Sequence, residues 1–168
     1  MTHALALAAA LLPLLFQAKD NPEFSYWAEH KTGSWVKLKL EMEAQGAKIL
    51  VETQHTLLEV GADKVVVEQK NKVSVNGAAQ PESSEKEEIF KDKDKDKNPL
   101  TVEKEGDEEI EVAGKKLKCH WVEGTQKDKT KAKFWLHKDI PGGIAKGEAS
   151  GGELPGKMTM SATSWEKK

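Results

Sequence analysis

Glu108-Glu109-Ile110-Glu111-Val112-Ala113-Gly114-Lys115-Lys116-Leu117-Lys118-Cys119 decides the fold class. A two-residue turn at Ala113-Gly114 sets Glu111 opposite Lys116, Glu109 opposite Lys118 and Ile110 opposite Leu117. Opposite charges meet on one face and apolar side chains on the other, and such cross-strand pairs are what fix a register. The segment is an antiparallel hairpin.

Outward from it, the same period of two recurs. Upstream, Val36, Leu38, Leu40 and Met42 alternate with Lys37, Lys39, Glu41 and Glu43, a strand with one dry and one wet face. Lys48 to Val60 resumes extended chain after a turn at Ala44-Gln45-Gly46, and Leu57-Leu58 breaks its alternation, the signature of a bulge. Val65-Val66-Val67 is β-branched, Val73 and Val75 are read as pairing back on it, and Asn76-Gly77 is a turn. Downstream, Leu117, Cys119 and Trp121 are placed on one face of a strand that folds back through Asp128-Lys129 into Ala132, Phe134 and Leu136. Pro141-Gly142-Gly143 stops that strand, Ile144 to Ala149 forms a short one, and Met158 to Trp165 alternates as the last. Before all of them, Asn21-Pro22-Glu23 is a helix start, with Phe24, Trp27 and Ala28 at helical spacing.

No helical stretch is long enough to supply a parallel crossover. The expected fold is therefore all-β: an antiparallel meander of about eight or nine strands, curved into a half-barrel or barrel, with a short N-terminal helix. Residues 78–107 carry few large apolar side chains and a dense mixture of Lys, Glu and Asp, and are expected as a polar loop or solvated hairpin.

Residues 1–18 form a separate block with no Asp, Glu, Lys or Arg, and Ala4 to Phe16 is apolar throughout. That run is shorter than the roughly 20 residues that cross a bilayer, and Lys19-Asp20-Asn21-Pro22 follows directly. It is read as a signal peptide, residues 19–168 as a single domain, and the mature chain as periplasmic or extracellular with no membrane span. Cys119 is the only cysteine, so strand pairing and packing must stabilise the domain without an intrachain disulfide.

Lys and Arg total 26 against 28 Asp and Glu, mixed along the chain, which argues against a nucleic-acid partner. Asp92, Asp94, Asp96 and Glu103 copy the spacing of a calcium loop, but Lys97 stands where the sharp turn requires glycine and Pro99 lies inside. Gly151 to Lys157 mimics a phosphate loop, but Met158 replaces the magnesium-binding hydroxyl and a strand follows. Cys119 and His120 are neighbours on a strand and point to opposite faces, so they cannot form a nucleophile and base. With the turn centred on Asp128-Lys129, His120 and His137 fall opposite each other as weak metal candidates, two ligands short of a full zinc set.

Gly33-Ser34-Trp35-Val36, Leu57 to Glu68, Gly114 to Cys119, Trp135 and Pro141-Gly142-Gly143 resemble a recurring type of small exported bacterial protein of unknown function. In strand spacing alone the chain is also similar to the lipoprotein-localisation half-barrels that shield acyl chains, although long plugging helices are not evident. No catalytic residues and no cofactor are assigned. The leading expectation is a non-enzymatic exported domain binding an apolar or amphipathic ligand, such as a lipid, or a partner protein, on a surface lined by Val36, Leu38, Leu40 and Trp121. The alternatives are a structural or interaction protein of the envelope without a small ligand, and then an exported hydrolase or metal-dependent enzyme.

Overall fold

The computed structural model describes residues 21–44, 46–92, 100–152, 154 and 156–168. The signal-like block and the centre of the calcium-like loop, Asp94 and Asp96 included, lie outside the described residues.

One helix, α1 (Pro22–Ala28), precedes ten strands: β1 (Trp35–Ala44), β2 (Ala47–Val60), β3 (Lys64–Val75), β4 (Ala78–Ala79), β5 (Ser83–Phe90), β6 (Thr101–Val112), β7 (Lys115–Thr125), β8 (Thr130–Leu136), β9 (Ile144–Gly151) and β10 (Gly156–Glu166). All pairings are antiparallel and belong to one open, curved sheet in the order β4-β3-β2-β1-β10-β9-β8-β7-β6, with β5 also on β3. β4 and β5 share one flank of β3, so the ten strands occupy nine positions across the sheet.

The sheet's two faces follow from its register. Val73, Val51, Leu40, Met160, Gly147, Phe134 and Val122 are successive cross-strand partners and form one row across seven strands. Directly opposed residues share a face, and most of this row is buried, so it marks the inner face. The adjacent row, Lys72, Glu52, Lys39, Ser161, Lys146, Trp135 and Trp121, marks the outer one. Lysines cover the outer tryptophans, with Lys133 Nζ 4.3 Å from the Trp121 ring centre and 4.5 Å from that of Trp135.

The Ala113-Gly114 hairpin has the expected register, Glu111 on Lys116, Ile110 on Leu117 and Glu109 on Lys118. Both turn residues have left-handed φ, 51° and 73°, as a two-residue turn between right-twisted strands requires. The bulge expected at Leu57-Leu58 lies between Leu57 and Glu59.

Two expectations are corrected. β3 is one unbroken strand, so Val73 and Val75 pair with Val51 and Ile49 of β2 instead of folding back on Val65-Val67. Where the structure describes residues 78–107, they are mostly strand: β5 makes eight register pairs with β3, and β6 begins at Thr101. β5 is an edge strand, wet on most positions, with Ile89 as its buried anchor. Charged residues on such an edge resist pairing with other chains, and that composition hides the strand.

Candidate functional site

α1 starts as its sequence directs, with the Asn21 side chain accepting a hydrogen bond from Glu23 N at 3.1 Å. The cap is tied to β5, because Asn21 Nδ2 donates to Phe90 O and Asn21 N donates to Lys91 O. The helix then lays Tyr26 and Trp27 on the Pro141-Gly142-Gly143 turn. A Cβ on Gly142 would come within 2.9 Å of the Trp27 ring, and one on Gly143 within 2.4 Å of Tyr26 Cγ. Both glycines also have φ near +80°, so side chains are excluded by conformation and by space. The motif that stops β8 is thus also the seat of the helix.

Between this helix, β1, β2 and the turn lies a pocket lined by Glu23, Trp27, Val36, Leu38, His55, Pro141, Gly142 and Ile144. Its interior volume is about 10 Å³, close to the roughly 10–15 Å³ that a single water needs.

The inner face beside this pocket is not uniformly apolar. Thr53, His55, Gln69 and Asn71 are all buried, and the register sets His55 opposite Gln69 and Thr53 opposite Asn71. Gln69 Nε2 donates to Asn71 Oδ1 at 3.1 Å. Among the described residues, His55 Nε2 and Thr53 Oγ1 have no hydrogen-bond partner. A buried polar group left in that condition costs about 1–3 kcal/mol. Trp27 covers the imidazole, ring planes within 3° and centroids 6.4 Å apart, and burial pushes the His55 pKa down to about 4.

Of the residues expected to line a binding surface, Val36, Leu38 and Leu40 come together on the inner face, and the first two line the pocket. Trp121 does not join them. It is the cross-strand partner of Trp135 on the outer face, half-buried beneath Lys133. The cause is the β7–β8 connection: Thr125 pairs with Lys131 around an odd number of residues, with Lys129 at φ 68°, and a one-residue slip reverses every facing. The same slip undoes the histidine pair. His120 lies opposite Leu136, with Nδ1 3.3 Å from Asp107 Oδ1, while His137 Nδ1 accepts from Asp139 N at 3.1 Å. Among the described residues no three His, Cys, Asp or Glu side chains are grouped to hold a metal. Cys119 is fully buried, as a small core residue, and burial raises its pKa.

His55 and Thr53 were legible in principle. Once Val51 and Leu57 are placed inside, alternation puts both on the same inner face. Their polarity conceals this.

No protein-family model matches the chain, and no curated protein matches its sequence. Among solved structures it is loosely similar to an exported protein with a YmcC-like fold from Bacteroides fragilis, at 8% identity and a TM-score of 0.49, over 82% of this chain and 97% of that one. It is also loosely similar to MucB, solved in complex with MucA(peri), at 14% identity and a TM-score of 0.36, over 87% of this chain and 55% of that one.

Proposed function

We propose that this is an exported, non-enzymatic β-domain that binds an apolar or amphipathic ligand, or a partner protein, on the inner face of its curved sheet. The concave inner face beside α1 carries the reading. Trp27, Val36, Leu38, Pro141 and Ile144 give it apolar walls, while His55 and Glu23 add polar groups; a mostly apolar concavity with a few convergent polar groups is the usual form of a small-ligand site. Export rests on the composition of residues 1–18. Among the described residues no helix is long and apolar enough to cross a membrane.

Nile red titration tests the reading. The full chain should give saturable, blue-shifted emission that 1-octanoylglycerol displaces, and Val36→Phe, which crowds that face, should weaken it at least fivefold. Emission that never saturates, or that Val36→Phe leaves unchanged, contradicts the reading.

A further inference from the structure

We propose that the open edge of β6, from Thr101 to Glu109, takes up an extended basic segment of a partner protein as an added strand. This surface is separate from the inner face, and the proposal stands independently of the ligand-binding reading above.

The edge supplies the backbone half of the recognition. β6 ends the sheet order: it pairs with β7 on one side, and among the described residues no strand pairs with it on the other. A strand in that position offers a row of unpaired N–H and C=O groups, the template on which another chain adds. Thr101 to Glu109 is exposed or half-buried throughout, and only Val112, at the hairpin end, is buried. At about 3.4 Å per residue this stretch gives about 30 Å of edge. At the opposite edge of the sheet, by contrast, Asn21 of the helix cap already takes the carbonyls of Phe90 and Lys91.

Charge names the occupant. Glu105, Asp107 and Glu109 stand at alternate positions and so project from one face of the strand. Glu103 and Glu108 add further carboxylates, and Lys104 is the one cation of the stretch. Contacts within the chain leave most of this charge in place. Glu103 accepts from the Thr125 hydroxyl at 2.7 Å, and Glu108 from Trp135 Nε1 at 2.8 Å with Lys133 at 3.9 Å. Glu105 and Asp107 share the single imidazole of His120, at 3.8 and 3.3 Å, and Glu109 lies 3.8 Å from Lys116, all with exposed side chains. A second copy of β6 would set carboxylate against carboxylate, and like charges directly opposite are destabilising, so self-pairing is opposed. A strand with Lys or Arg at every second position meets Glu105, Asp107 and Glu109 at once.

Fluorescence anisotropy of the full chain at pH 7.5 and low salt tests this, with a dye-labelled peptide of five Lys-Thr repeats as the probe. It should bind saturably, at least tenfold more tightly than a peptide of five Glu-Thr repeats. A peptide of five Lys-Pro repeats has the same charge but lacks half of the N–H groups and cannot pair as a strand; it should bind at least fivefold more weakly. Glu105→Gln, Asp107→Asn and Glu109→Gln together should weaken the Lys-Thr peptide at least tenfold. Independently of any variant, amide exchange of the wild-type chain should slow in Thr101 to Glu109 when the peptide is bound and stay unchanged in β1. Absence of saturable binding, equal affinity for the Lys-Pro peptide, or slowed exchange elsewhere than in β6 overturns the proposal and leaves the inner-face reading untouched.

Discussion

Trp27 of the short helix lies parallel to His55 of β2, ring planes within 3° and centroids 6.4 Å apart, closing the inner face at the end where β1 begins. Through this contact a helix of only seven residues covers His55.

That burial couples His55 to stability. Its pKa falls from an ordinary 6.5 to about 4 in the folded chain, so the unfolded chain binds the proton more readily. Stability is then fully present above pH 6.5 and is lost as pH falls from 6.5 towards 4, by about 3 kcal/mol in all. Urea unfolding at pH 7.5 and 4.5 should show a larger loss in the wild type than in His55→Phe, since carboxylates common to both cancel. An equal loss in the two proteins would remove His55 from the account.

The glycine seat predicts a contrast. Gly143→Ala places Cβ 2.4 Å from Tyr26 Cγ at φ +81°, whereas Gly114→Ala, at φ +73°, meets nothing within 4 Å. Both bear a left-handed penalty of about 1–2 kcal/mol, but only the first displaces α1. Gly143→Ala should lower the melting temperature more and also raise His55 accessibility to diethylpyrocarbonate. Equal effects would mean that the turn does not hold the helix.

In the core, Leu40→Ala should cost about 2–5 kcal/mol, because Leu40 is buried in the row that crosses seven strands. Leu117→Ala should cost less, as Leu117 is only partly buried. Lys116→Ala should change stability by no more than about 1 kcal/mol: its nearest carboxylate, Glu109, is 3.8 Å away and both side chains are well exposed. Chemical denaturation of the three variants orders them, and an order led by Lys116→Ala would contradict the facing of the hairpin.

The legible and illegible parts of the fold divide on one property. The β6–β7 hairpin could be read because charge and hydrophobicity both repeat across a two-residue turn, so two independent patterns agree. β1 could be read because Val36, Leu38 and Leu40 alternate with charges, which brought two of the pocket's lining residues, Val36 and Leu38, into view. Trp121 could not be assigned to its face, because the parity of the β7–β8 connection depends on the left-handed Lys129, a residue type that gives no such signal. β5 was hidden because an edge strand with wet faces has a loop's composition. Thr53 and His55 were hidden because inner positions are normally apolar, and a polar residue at such a position has the appearance of an outward face.

Cys119 offers a check independent of ligands. With its side chain fully buried and its pKa raised by burial, the thiol should resist Ellman's reagent in native buffer and react stoichiometrically in 6 M guanidinium. Rapid labelling of the native chain would show that β7 does not pack as described.

The central claim is that ligands bind on the inner face beside α1 and not on the tryptophan-rich outer face. Methyl-resolved NMR of the full chain titrated with 1-octanoylglycerol addresses it most directly. The methyl signals of Val36, Leu38 and Ile144 should move together and saturate, while the indole N–H signals of Trp121 and Trp135 stay in place. Saturable movement of the two indole signals with the three methyl groups unmoved would contradict the account.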